Sequence, residues 1–257
     1  MASLPRIMVA PNGARLTKAD HPALPVTIAE TVTCAVACQS AGADGIHAHV
    51  RDADQRHVLD AGLYLELLRE LDQQLPGFYA QITTEAVGRY SPAEQRAVVE
   101  AVRPRAVSIG LREIDDEADQ RITARFFAFC AEARIHVQHI LYDTDDIARF
   151  VRRLEDGTIP RGNLAALIVL GRYSAGQRST PADLEAPATA LLSALPGIDW
   201  SVCAFGPQET ACLGAAAKRG GKARIGFENN RLNADGRVAK DNAARVAELV
   251  ATLRAEP

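Results

Sequence analysis

The sequence predicts an α/β fold, a closed (β/α)8 TIM barrel forming a single domain over residues 1–257. Three observations lead there. Short β-type runs alternate eight times with longer helical patterns, which places parallel strands inside and helices outside. The length matches one barrel of about 250 residues. The turn after the first strand reads Ala10-Pro11-Asn12-Gly13-Ala14. A doubly wound nucleotide-binding sheet would carry GxGxxG there.

The elements follow in order. An apolar run, Ile7–Ala10, leads through Pro25-Val26-Thr27 to a helix near Ile28–Ser40 that stops near Gly42. The strand Gly45–Arg51 precedes a helix at about Gly62–Leu75, and Tyr79–Thr84 precedes one at Pro92–Val102. Ser91-Pro92-Ala93-Glu94 reads as an N-cap, a first-turn proline and a first-turn acid. Ala106–Gly110 is paired with Glu117–Ala133, and Ile135–Leu141 with Asp145–Glu155. Leu164–Gly171 is paired with Pro181–Leu195, whose start, Thr180-Pro181-Ala182-Asp183, repeats the capping pattern. Trp200–Phe205 leads to Gln208–Lys218, and Ala223–Phe227 to Asn242–Arg254.

Composition narrows the function classes. With 47% apolar and 24% charged residues the chain is too apolar and too balanced for disorder. Lys plus Arg number 29 against 32 Asp plus Glu, so the basic excess of a nucleic-acid binder is missing. No apolar run approaches the ~18 residues of a membrane span. The start, Met1-Ala2-Ser3-Leu4-Pro5-Arg6, lacks a signal-peptide pattern, and a cytoplasmic protein is expected. Five cysteines, an odd number without a CxxC pair, read as buried small side chains in a reducing compartment.

The strongest chemical signal is Gly45-Ile46-His47-Ala48-His49-Val50-Arg51-Asp52. Strand side chains alternate, so Ile46, Ala48 and Val50 face the helices while His47, His49 and Arg51 face the barrel interior. Two imidazoles about 7 Å apart on one face can converge on a single metal ion. In Lys222-Ala223-Arg224-Ile225-Gly226-Phe227-Glu228-Asn229-Asn230 the same alternation sends Arg224, Gly226 and Glu228 inward. The eighth strand lies two places from the second once the barrel closes, so Glu228 can supply a third ligand. A His2Glu set with open positions suits a catalytic Zn²⁺, or another divalent metal, better than a structural one.

Thr83, Glu85, Ser108 and Arg112 are further inward candidates at the same rim. His139 is ambiguous: its strand's apolar parity turns it outward, but its place near the strand end would suit a site. His21 and His57 fall in polar stretches expected to be exposed. Glu85, Arg112, Glu113, Gln138 and Tyr142 are the strand-end residues placed to set the acyl end of a substrate.

These residues resemble one family, the β-keto acid cleavage enzymes (3-keto-5-aminohexanoate cleavage enzyme-like). His47-Ala48-His49-Val50-Arg51-Asp52 looks like its HxHxRD motif. Arg224-Ile225-Gly226-Phe227-Glu228-Asn229-Asn230, followed by Asp235-Gly236-Arg237, resembles its R-V-G-x-E-D-N motif. Ala10-Pro11-Asn12-Gly13-Ala14 and Pro22–Thr27 are similar to its opening segment. The resemblance implies a Zn²⁺-dependent barrel that reacts a β-keto acid with acetyl-CoA, giving acetoacetate and an acyl-CoA. His47, His49 and Glu228 would be its metal ligands and Arg224 the cation beside the developing negative charge. Thr83 and Ser108 would hold the keto acid, joined by Asn229, Arg51 and Arg112 on the substrate side. Arg172, Arg178 and Lys218 are the candidates for the CoA phosphates, and a homo-oligomer, dimer or tetramer, is implied.

Two departures stand out. The family has an Asp base after its ligand Glu, where this chain has Asn229, which takes no proton at neutral pH. It also has a Glu on the fifth strand, three residues before an Asp. Counting back from Asp143 gives Ile140, beside His139. Glu85 stands where a Gly is expected, so the base is expected to be Glu85 or His139. The competing readings are a metal-dependent hydrolase, a CoA-independent metal-dependent aldolase or lyase, and a non-catalytic binding barrel. Amidohydrolases carry HxH on their first strand and need a late Asp, which this sequence does not match.

Overall fold

The computed structural model describes residues 3–115 and 119–255. Eight parallel strands close into a barrel in sequence order: β1 (Ile7–Val9), β2 (Gly45–Ala48), β3 (Tyr79–Thr83), β4 (Ala106–Gly110), β5 (His136–Leu141), β6 (Ala165–Leu170), β7 (Asp199–Ala204) and β8 (Lys222–Ile225). The first and last strands pair, Ile7 with Ala223 and Val9 with Ile225, which closes the ring. The helices between strands are α1 (Ile28–Ser40), α2 (Ala61–Gln74), α3 (Pro92–Val102), α4 (Leu111–Ile114), α5 (Gln120–Glu132), α6 (Thr144–Glu155), α7 (Glu185–Ala194) and α8 (Glu209–Lys218). The last helix is α9 (Asn242–Ala255).

The capping signals do what the sequence asks of them. Thr27 and Ser91 each form a reciprocal capping box with an acid three residues on, Glu30 and Glu94. Each such cap is worth about 1 kcal/mol. The pattern at Thr180 opens a short 3-10 turn, Pro181–Leu184, and α7 proper begins after it. Pro187 sits in α7's first turn, where its missing N–H would have had no helical partner anyway. The helix expected at Glu117–Ala133 is α5, with Glu117 and Ala118 outside the described residues, and α4 directly after β4 is an extra helix that the sequence pattern does not indicate.

Alternation sorts the two barrel faces. Ile46, Ala48, Ile82, Val107, Ile109, Ile168 and Val202 join the main core between strands and helices. Inside the barrel a smaller apolar cluster, Ile140, Leu167, Val169, Cys203 and Phe205, fills the β5–β7 side. The other side is polar and buried, with His47, Gln81, Thr83, Ser108 and Gln138. Among the described residues no helix is long and apolar enough to cross a membrane, and all five cysteines are free.

Candidate active site

The site forms where the barrel closes, at the C-terminal ends of β2 and β8 on either side of β1. His47 is on β2, and His49 lies one residue past its end, because the strand stops at Ala48 and not at the expected Arg51. Glu228 sits just beyond β8, on a turn that only glycine can start. Gly226 has φ +145°, and a Cβ there would lie 2.4 Å from Ala10 O. Glu228 N donates to Ala10 O at 3.1 Å. Asn242 Oδ1 accepts from Phe227 N at 2.9 Å, and Glu209 Oε1 accepts from Gly226 N at 3.2 Å. Glu209 is itself held by Arg245 at 2.9 Å, both fully buried. Burial pushes the Glu209 carboxyl up to about 7 against Arg245's pull.

His47, His49 and Glu228 converge so closely that their ligand atoms lie within 4.8 Å of one another. The two Nε2 atoms are 3.2 Å apart, and each is 3.7 Å from Glu228 Oε2. Burial, with Arg224's charge added, holds the His47 imidazolium well below its ordinary range; burial and then His57 do the same for His49. Burial pushes the Glu228 carboxyl up while Arg224 pulls it down. Glu228 Oε2 is buried without a hydrogen-bond partner among the described residues, as is His49 Nδ1. Two imidazole nitrogens and an orphaned carboxylate oxygen are the donors a divalent cation takes, and the set fits one.

Arg224 completes the anionic side. Its Nη2 donates to Glu228 Oε1 at 3.1 Å and approaches Cys203 Sγ at 3.3 Å. Its Nε and Nη1 are buried with no partner among the described residues. A cavity of about 160 Å³ opens above, lined by Asn12, Gly13, Glu85, Arg172, Phe205, Glu228 and Asn229 among others. Glu85 faces it with Oε1 on Arg172 Nη2 at 3.0 Å and Oε2 3.9 Å from His49 Nδ1. Ser108 Oγ lies 3.5 Å from His47 Nδ1, and Thr83 Oγ1 accepts from Glu85 N at 3.0 Å. Asn229 is buried, with Nδ2 on Arg224 O at 3.4 Å and Oδ1 unpartnered among the described residues.

Several expected site residues are placed elsewhere. His139 lies on the helix side of β5, with ring centroids 5.2 Å from Phe127 and 4.7 Å from Phe150. It borders a separate cavity of about 430 Å³ that no triad residue lines. The apolar parity of β5 wins over its position near the strand end. Arg112 is the second residue of α4, because the chain turns helical directly after Gly110. It is bound to Asp146 at 2.6 Å and Asp143 at 2.7 Å, and covered by Tyr142. Arg51 donates to the carbonyls of Gln55, Asn12 and Gly13 and so holds the loop after β1. Lys218 ends α8, at the end of the barrel where strands begin and away from the site. Gln138 lies inside the barrel, and Glu113 accepts from Ala86 N and Gln95.

Two histidines expected to be exposed are buried. His21 contacts Ala239 O at 3.0 Å and packs on Phe227. His57 packs 4.9 Å from the His49 ring and contacts Glu85 O at 3.0 Å. The signal for His57 was the turn-forming Asp52-Ala53-Asp54-Gln55, which returns the chain so that His57 bridges to Arg51.

Fold and site together define a (β/α)8 barrel with a His2Glu donor set at the C-terminal strand ends, where such barrels place catalysis. Residues 6–256 match the family model of the beta-keto acid cleavage enzymes, and the chain belongs to that family. It is 26% identical over 257 residues to the 3-oxoadipate:acetyl-CoA acetyltransferase of Cupriavidus necator, covering 95% of this chain and 87% of that one. It is likewise 26% identical to the 3-keto-5-aminohexanoate cleavage enzyme of Fusobacterium nucleatum, over 93% and 87%. Among solved structures, ObcA bound to oxaloacetate superposes with a TM-score of 0.71 at 15% identity. That match covers 91% of this chain but 64% of ObcA, so the chain spans under two thirds of that protein; the likeness is one of fold.

Proposed function

We propose that this chain is a metal-dependent β-keto acid cleavage enzyme that condenses a β-keto acid with acetyl-CoA and yields acetoacetate and a new acyl-CoA. The observation that carries this reading is the His47–His49–Glu228 donor set, whose Glu228 lines a cavity that Glu85 and Arg172 also line. A bound divalent ion, Zn²⁺ by its N,N,O donors, would supply Lewis-acid polarisation of the keto acid's oxygens.

The chain's own residues would do the rest. Arg224, fully buried with two N–H-bearing nitrogens left unpaired among the described residues, would hold the substrate's negative charge in a site shielded from water. The Thr83 and Ser108 hydroxyls would orient the keto acid. With His139 outside the site and Asn229 unable to accept a proton, Glu85 is the base this reading assigns. It would take the proton between the two carbonyl carbons, leaving that carbon to attack the thioester and release CoA thiolate. The thiolate would then add to the original keto carbon. The C–C bond would break with its electron pair going to the acetoacetate carbon, and Glu85 would return its proton to that carbon. Arg172, paired with Glu85 and lying over Phe205 at 5.3 Å, would border the acyl end of the substrate. The working form is proposed to be a homo-oligomer, which sedimentation would check.

Incubation with acetyl-CoA and a panel of β-keto acids tests the reading directly. Acetoacetate should accumulate with at least one acid, stop on chelation and return with Zn²⁺. No acetoacetate from any member of the panel would sink it.

A further inference from the structure

Inside the barrel, below the triad, four side chains from four strands form one hydrogen-bonded row. His47 Nδ1 lies 2.9 Å from Gln81 Oε1. Gln81 Nε2 donates to Gln138 Oε1 at 3.1 Å. Gln138 Nε2 donates to Ser201 Oγ at 2.8 Å and to Ala166 O at 3.4 Å. All four side-chain-bearing residues are buried. A barrel interior is ordinarily packed with branched apolar side chains, so a polar row across it calls for a reason.

The reason is polarity. An amide side chain offers an acceptor at one end and a donor at the other, and the two ends are nearly the same size. A row of two amides could therefore run either way. Its far end removes the choice. Ala166 O is a backbone carbonyl and can only accept, so the NH₂ of Gln138 must face it. The Gln138 oxygen then faces Gln81, which has to present its own NH₂. That leaves the Gln81 oxygen toward His47, and an oxygen can only accept. The hydrogen of the imidazole therefore sits on Nδ1, and the lone pair on Nε2, the atom 3.7 Å from Glu228 Oε2. Ser201 and Ser108, whose hydroxyls can donate or accept, impose no direction of their own. Reversing the row would set two carbonyl oxygens against each other at Ala166 and put a hydrogen on the nitrogen that faces Glu228.

We propose that Gln81 and Gln138 are positioning residues that fix the metal-binding tautomer of His47, with the direction set by a backbone carbonyl on β6. The proposal rests on His47 being a metal ligand, as assigned above. Partners that hold a ligating histidine's second nitrogen typically govern metal affinity by 10–100-fold.

Nitrogen-15 correlation spectra of the metal-free full-length protein read the tautomer without any substitution. His47 should carry its hydrogen on Nδ1. Gln138→Leu should release Gln81 to turn, mix the two tautomers and weaken Zn²⁺ binding, about twofold for an even mixture and up to about tenfold as the ring also loses its fixed orientation, measured against a chromophoric chelator. Adding Gln81→Glu to that variant supplies a carboxylate that can only accept, and should restore both the tautomer and the affinity. A wild-type hydrogen on Nε2 overturns the proposal. So does a Gln138→Leu protein with unchanged tautomer and unchanged Zn²⁺ affinity, although that result leaves the metal reading standing. A wild type with the expected tautomer that binds no Zn²⁺ supports the polarity of the row and sinks the metal reading instead. Because the first measurement uses the wild type, a Gln138→Leu chain that fails to fold does not remove the test.

Discussion

Glu228 is held where one added methyl group would move it. Gly13, at φ +57°, would place a Cβ 2.6 Å from Glu228 Cγ and 3.1 Å from its Cβ. Gly13→Ala should therefore do two things. The left-handed backbone should cost about 1 kcal/mol of stability, and the displaced carboxylate should weaken Zn²⁺ binding about tenfold. Metal titration with thermal unfolding checks both, and unchanged affinity would show that the contact does not set the carboxylate. Glu85→Gln addresses the base. The amide keeps its length and can still accept from Arg172, but it takes up no proton. Turnover should fall by about 10²–10⁴-fold with metal content retained; wild-type turnover would move the base elsewhere. At this scale the sequence was legible where period-two alternation applies. His47 and Arg224 are legible because apolar neighbours on β2 and β8 fix the parity, whereas His49 and Glu228 lie past those strands' ends and Glu228 owes its place to the Gly226 turn. Arg51, Arg112 and His57 also lie beyond strand ends, and alternation does not place them. There a tight turn or an immediate helix, not the pleat, decides where a side chain goes.

At the scale of the element, β5 shows parity overriding position. His139 belongs to the outward row with Val137 and Leu141, so it is packed between Phe127 of α5 and Phe150 of α6. Burial lowers its pKa from 6.5 to about 3. The unfolded chain therefore binds a proton, in the window from about pH 6.5 down to 3, that the native state refuses. Stability rises with pH wherever the unfolded state holds more protons, so it is lost as the solution is acidified through this window. The loss from this one imidazole reaches about 5 kcal/mol at most. His139→Phe, with the adjoining cavity to accept its larger ring, should flatten that part of the pH–stability curve and leave turnover intact. Denaturant midpoints at several pH values would measure it; an unaltered slope, or a loss of activity at neutral pH, would contradict the assignment. The helices teach a related lesson. Ile28–Ser40 and Pro92–Val102 were legible to the residue because their caps are local sequence. The short helix α4 was not, because it depends on Leu111 and Ile114 finding burial straight after β4.

For the molecule as a whole, the metal site and the closure of the barrel coincide. The order of eight strands could be read from their rhythm, and it placed β8 two strands from β2. That the shortest strand would lie between the ligands could not be read, since strand ends depend on the turns that follow. β1 has three residues and pairs with β2 at only two positions, Met8–Gly45 and Val9–Ile46. The β6–β7 pair, by contrast, runs over six positions. A single ion held by His47, His49 and Glu228 would tie β2 to β8 across this thin seam, so metal binding and barrel stability should be linked. At free metal 100 times its Kd the added stability is about 2.7 kcal/mol. At about 2–4 °C per kcal/mol for a chain near this size, chelation should lower Tm by roughly 5–10 °C. Glu228→Gln should abolish the shift. The loss should also be local: on chelation, amide hydrogens of Ile7–Val9, Gly45–Ala48 and Lys222–Ile225 should exchange faster, while those of β6 and β7 keep their protection. Uniform acceleration around the barrel, or an equal chelator shift in Glu228→Gln, would mean that the ion does not bridge the seam.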